Sequence, residues 1–299
     1  MLKSRLCIAF FAFAVGCAPA QKPLTDYVNP MLGTATLWDS VDLGFKPTKR
    51  TWGAEVFPGS SLPNAMVQVS PVTKFHSGAG YQYEDSVIYG FTHTNKGHWN
   101  LCHIPLLPVT GTPTPGDYCS PFSHERESAA PGYYQVFLDR YGVDAQLSST
   151  LRCAFHKYTY PAGAAPAVLA DLQRSNEHVR AWDIRKEGDN VFAGWQQTGE
   201  KMYFYAVANR PVTGIEPVVE GDREVRIVRF GEGDGALELR IGFSFVSEKN
   251  ARENLEAEML GKSFAEVRSE ATATWNDLLG RIRVEGGTER EKGLFYSSL

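Results

Sequence analysis

The sequence predicts a mainly β chain: a large antiparallel β-sandwich followed by linker α-helices. Three observations carry that prediction. From residue 133 onward, short runs of apolar and β-favouring residues recur at even spacing. Glycine-rich breaks, mostly without helical stretches between them, separate these runs, which favours an antiparallel sandwich. From residue 247 the period changes to that of amphipathic helices, with capping boxes at Ser263 and Thr288.

Taken in order, the first residues stand outside the fold. Lys3 and Arg5 precede an apolar run over 6–16 that is too short to span a bilayer, so 1–20 reads as an export signal. Two processing sites compete. Ala18-Pro19-Ala20 would release a chain beginning at Gln21, whereas Ala14-Val15-Gly16-Cys17 would leave a lipidated Cys17 as the only link to a membrane. Either places the mature protein outside the cytoplasm, in the periplasm, on the outer-membrane surface or outside the cell. Cys102, Cys119 and Cys153 follow the signal; three thiols allow at most one disulfide, and no Cys/His spacing suits structural zinc.

Residues 26–34 read as an extended piece and a turn broken by Pro30 and Gly33, 37–51 as a loop, 52–59 as a turn-bounded element and 65–70 as a strand. Strands are then expected over 134–138, 143–150, 153–160, 167–172, 181–186, 191–197, 202–208, 224–230 and 236–246. Gly142, Gly188-Asp189-Asn190, Gly199, Gly221-Asp222 and the glycines of 231–235 mark turns. A helix over 247–260 shows Ala251, Leu255 and Met259 on one stripe. The Ser263 box opens a second helix with Phe264, Val267, Ala271, Trp275 and Leu278 facing one way, a core or interdomain face. Residues 281–285 read as a brief strand or connector. The Thr288 box opens a third helix whose pattern is still running at Leu299, so the sequence is expected to continue into a further domain.

With 30 basic and 34 acidic residues among 299, the net charge is −4 and no basic stripe appears, which argues against nucleic-acid binding. The chemistry concentrates in 78–108. That stretch holds His93, His98 and His103, the adjacent Glu84-Asp85, and a Gly-flanked loop with Lys96, His98 and Trp99. Aromatics beside polar hydrogen-bonders suit stacking on a sugar face and reading its hydroxyls. Tyr81, Tyr83, His93, Lys96, His98 and Trp99 are therefore the candidate substrate-binding residues. The bland alternative puts Tyr81 and Tyr83 between the sheets and makes His93 a satisfied structural histidine. Glu84 and Asp85 would point to opposite faces and could not flank one bond, so loop bracing or a surface role is expected. The five-residue spacing of the histidines alternates faces, which argues against a metal triad.

Several phrases in order resemble glycoside hydrolase family 92, the calcium-dependent exo-acting α-mannosidases. They are Val28-Asn29-Pro30-Met31-Leu32-Gly33-Thr34; Phe57-Pro58-Gly59 with Met66-Val67-Gln68-Val69-Ser70-Pro71; Gly80-Tyr81-Gln82-Tyr83-Glu84-Asp85; Gly90-Phe91-Thr92-His93-Thr94; Pro131-Gly132-Tyr133-Tyr134; and the run over 143–161. The stretch 275–296 is similar to the family's entry into its catalytic domain. The resemblance implies a sandwich over 21–246, a helical linker over 247–285, and over 286–299 the first helix of an (α/α)6 barrel. It further implies inverting hydrolysis of α-mannosides, with the catalytic carboxylates and most calcium ligands in the barrel, beyond Leu299. The chain's own C-terminal catalytic domain and α-mannoside glycans are then its partners, and this stretch alone is expected to be inactive. A free-standing carbohydrate-binding module and an inactive structural remnant are the alternatives. The loop Asn95-Lys96-Gly97-His98-Trp99-Asn100 departs from the family's usual second histidine and Leu-Ser-Gly, which leaves linkage specificity open.

Overall fold

A computed structural model of the chain describes residues 22–37, 44–46, 55–97 and 99–299. The expected signal over 1–20, Cys17 and His98 lie outside these residues. Two antiparallel sheets face each other. One has seven strands in the order Ser60–Ser61, Gln68–Val72, Gly90–Thr92, Leu106–Val109, Ala167–Ala170, Arg223–Phe230, Val212–Glu220. The other has eight, in the order Ala181–Gly188, Val191–Gln197, Lys201–Ala208, Leu237–Ser244, Cys153–Thr159, Val143–Ser149, Tyr133–Leu138, Glu127–Ala130.

Alternation explains how each strand divides its faces. In Lys201–Ala208, Met202, Phe204, Ala206 and Ala208 are buried, while the intervening residues are only half-buried. These inward side chains join Val69, Phe91, Leu106, Tyr134, Tyr158 and Ile227 in one continuous inter-sheet core. The outward Tyr205 and Val207 are not left to solvent. Helix α1 (Glu248–Glu258) lies across them and across Leu237–Ser244, burying Leu255. A Cβ on Gly242 would sit 2.1 Å from the Ala251 carbonyl oxygen, so the helix reaches the sheet backbone there. Helix α2 (Phe264–Leu279) continues the same layer, and α3 (Glu289–Ser297) follows. Both open on complete capping boxes, at Ser263 and Thr288.

The N-terminal segment stitches these helices to the sandwich. It opens with a 3-10 turn, Leu24–Tyr27, which takes the first two residues of the piece expected over 26–34 as extended and turn; the turn follows at 30–33. Thr25 holds the 3-10 turn: its backbone N–H and hydroxyl both bond the Asn276 amide of α2, and Leu24 packs with Leu279 and Tyr296. Of the two readings for residues 281–285, strand or connector, the structure shows the connector. The strand Val212–Glu220 was not among those expected; it contains Pro217 and lies at a sheet edge, where a missing N–H is tolerated. Cys102, Cys119 and Cys153 are free thiols, and burial pushes Cys102 and Cys153 up from the usual thiol range.

Candidate functional site

At one end of the sandwich, four distant stretches enclose a groove of about 430 Å³. Its walls are Val28 and Pro30, then Glu55 to Ser61, then Ala130 to Gly132, and finally Trp275, Leu279 and Tyr296 from the helices. Trp275 donates its indole N–H to the Ser61 carbonyl at 2.8 Å, which fixes the ring against the sheet. Gly132, at φ +77, lets α2 approach: an added Cβ would fall 2.6 Å from the Ala271 Cβ. The lining is mostly apolar, with Glu55 its single carboxylate. A pocket of this size accommodates a small ligand such as one or two sugar rings.

Gly97 also lines the groove, so the tip of the hairpin Asn95–Lys96 and Trp99–Asn100 reaches it. Lys96 and Trp99 face each other across the hairpin, the lysine exposed and the indole half-buried. The hairpin root is held from below. Asn100 donates to the Ala79 carbonyl and to Thr92 Oγ1, and the Asn176 amide donates to the Asn100 carbonyl at 2.6 Å. Asn95 keeps both side-chain polar atoms buried and without partners.

The other candidates lie deeper. His93 is fully buried beside Phe243, its Nε2 3.0 Å from His156 Nε2. Its Nδ1 faces the His103 carbonyl, an acceptor only, so Nδ1 carries the proton and Nε2 accepts from His156. His156 Nδ1 then accepts from the Tyr158 hydroxyl at 2.5 Å. Both imidazoles are therefore neutral, and burial pushes His93 down to about 3 and His156 well below its ordinary value. His103, also buried, bonds Thr94 and Thr198 and is lowered by burial against the pull of Glu177. The His93 and His103 imidazoles thus do not bond each other, His93 reaching only the His103 backbone carbonyl, and the fully buried His93 ring offers no exposed face to a ligand.

Tyr81 is 1% exposed, whereas Tyr83 is 41% exposed. The Tyr81 hydroxyl donates to Glu127, which also accepts from Tyr134 at 2.5 Å and from His124 Nδ1 at 2.6 Å. Burial and the adjacent Glu127 charge push Tyr81 and Tyr134 up. Glu84 accepts from the Thr36 backbone and hydroxyl, and Asp85 from the Thr73 hydroxyl at 2.7 Å. Both brace loops. Among the described residues no three His, Cys, Asp or Glu side chains converge in a way that could hold a metal ion. The donor set that a calcium ion needs, several oxygens with carboxylates among them, is not assembled by these side chains.

Comparison with known proteins first places the chain among glycoside hydrolases. Residues 27–254 match the glycosyl hydrolase family 92 N-terminal domain, and residues 250–299 match the glycosyl hydrolase family 92 catalytic domain. The chain belongs to glycosyl hydrolase family 92. An α-mannosidase of this family from Bacteroides thetaiotaomicron has the same fold, with 26% identity and a TM-score of 0.81 over 93% of this chain and 40% of that one. A second protein from that organism, an inverting mannosidase of the family, gives 25% identity and a TM-score of 0.77 over 92% of this chain and 38% of its own. A secreted glycosidase of Arthroderma benhamiae, itself uncharacterised, is 24% identical over 87% of this chain and 38% of its length. The chain thus spans about two fifths of the relatives it matches.

Residue reading of the sequence missed part of the groove. Phe57 and Gly59 stood out as part of a turn and of a family-like phrase, and Trp275 as part of a helical stripe and of a family-like stretch, none of them as site residues. Nothing local marks these residues as neighbours, since they meet only once α2 docks on Gly132. His124 carries no sequence signal, and Arg126-Glu127 reads as a solvated charge-rich face, whereas the Glu127 side chain is only 1% exposed, closed in by Tyr81, Tyr134 and His124.

Proposed function

We propose that this chain is the N-terminal part of an exported exo-acting α-mannosidase and forms the sandwich side of its substrate cleft. The groove carries the reading. It lies where the sandwich meets α2 and α3, and residues 250–299, which contain both helices, match the family's catalytic domain. Its lining of Phe57, Trp275 and Tyr296 suits a sugar ring, and the Lys96–Trp99 hairpin stands at its rim. In this reading Lys96, His98 and Trp99 contact the glycan, and Tyr83 extends the rim.

The reaction is inverting hydrolysis: one carboxyl protonates the leaving oxygen while another activates water on the opposite face. The mannosidase similarity supports this, and the two carboxyls belong to the helical barrel. The described residues offer no carboxylate cluster for calcium, so no step is assigned to a metal here. Export follows from the 1–20 signal and agrees with a relative described as secreted. Titrating methyl α-mannoside against tryptophan fluorescence tests the reading. Trp99 and Trp275 should report a saturable change that Trp99→Ala weakens; a flat titration overturns the cleft assignment.

A further inference from the structure

Tyr83 does not line the groove itself, yet it stands on a bed of its own. The Tyr83 ring lies flat on the His124 ring, centroids 3.9 Å apart and planes within 3°. One face is thereby covered, while the residue as a whole stays 41% exposed. His124 is itself fixed at both nitrogens. Nδ1 meets the Glu127 carboxylate at 2.6 Å and Nε2 meets the Tyr83 carbonyl oxygen at 2.6 Å, while Phe122 closes its edge. A carbonyl only accepts, so Nε2 donates to it, and the Glu127 carboxyl, which also takes two phenol donors, closes the Nδ1 side with a side chain only 1% exposed.

An exposed tyrosine ordinarily loses side-chain freedom when a ligand stacks on it. Here that freedom is already gone, which is how a fold pre-organises a contact surface. A second observation lies next to it. Gln82 is buried, and its Oε1 has no hydrogen-bond partner. It lines a niche of about 10 Å³ with Gly33 to Thr36, Glu55 and Val56, room for one hydroxyl or water. The Tyr83 N–H bonds the Thr34 carbonyl in that same wall, and Glu55 and Val56 also line the main groove. The Tyr83 backbone and Gln82 thus flank the same 33–36 segment, and an exposed ring together with an unfilled acceptor suits a pyranose, which presents an apolar C–H face and hydroxyl donors at its edge.

We propose that Tyr83 is a glycan-stacking platform at the outer end of the cleft, with His124 and Glu127 as its positioning residues and Gln82 Oε1 as an acceptor for one sugar hydroxyl. This rests on the mannoside-binding reading above. The probes are methyl α-mannoside and α-linked mannobioses, titrated into the full chain by calorimetry, with Tyr83 ring signals followed by NMR. Mannobiose binding should weaken about tenfold in Tyr83→Ala and stay within about twofold in Tyr83→Phe, since the ring and not the hydroxyl makes the contact. His124→Gln should weaken it severalfold and set the Tyr83 ring flipping freely, at an unchanged affinity for methyl α-mannoside. Gln82→Met should act on affinity with the ring signals unmoved. Mannobiose binding unaffected by Tyr83→Ala overturns the platform and leaves the cleft standing. If neither probe binds the wild-type chain, both readings fall.

Discussion

Acidification should unfold this domain through its buried histidines. His93 has no exposed surface and stays neutral between the His103 carbonyl and His156. Burial holds it at about 3 in the folded state, against an ordinary value of 6.5. An unfolded chain therefore takes up a proton as pH falls through 6.5, and the folded chain does not until about 3. Stability is full above 6.5 and falls progressively below it. Between pH 7.5 and 5.0 that linkage removes ~2 kcal/mol for His93 alone, at 1.36 kcal/mol per pH unit. His156 and His103 are lowered by burial as well, so they add to the loss. Asp171 acts oppositely: burial raises it, so the folded state binds its proton first as the carboxylate range is approached. Urea unfolding followed by tryptophan fluorescence at the two pH values measures the sum. At a denaturant slope of about 2–3 kcal/mol/M, the midpoint should drop by roughly 1 M or more. His156→Phe should be less stable at pH 7.5, because His93 Nε2 loses its donor, yet show a shallower pH slope. A midpoint that does not move between pH 7.5 and 5.0 would refute the assignment of neutral buried imidazoles.

Three substitutions probe the site and its supports. Tyr134→Phe removes a 2.5 Å bond to Glu127 inside the core and should cost about 1.5–3 kcal/mol, the range for hydrogen bonds to a charged group, read by thermal or urea unfolding. Gly132→Val combines φ +77 with a contact on Ala271, so it should lower the melting temperature and loosen α2, seen as faster amide exchange across 264–279; unchanged protection there would contradict the close approach. Trp275→Phe keeps an aromatic in the groove but drops the bond to Ser61, with an expected cost of about 1 kcal/mol and a weaker response to methyl α-mannoside.

The sandwich was legible because its signal is local. Strands such as Lys201–Ala208 alternate so regularly that one face must be buried, and Ser263-Phe264-Ala265-Glu266 states a helix start in four residues. The strand Val212–Glu220, which carries Pro217, escaped; its edge position, where proline is tolerated, is a property of the whole sheet. The stretch 78–108 stood out by composition, yet composition does not say which way a ring points. Tyr81 and Tyr83 are two residues apart and carry the same side chain, but one is sealed on Glu127 and the other lies open on His124.

By itself, then, the amino-acid order determined the class of fold, the capped helices and, through its ordered phrases, the family. Periodicity and capping act over a few residues, within reach of a local reading. Only the tertiary structure decided the groove, the neutral His93–His156 pair and the bed of Tyr83. Each depends on side chains brought together from far along the chain: His93 and His156 are 63 residues apart, and Tyr83 and His124 are 41. What a polar side chain does once buried is set by the partner it meets there, and sheet order and helix docking choose that partner.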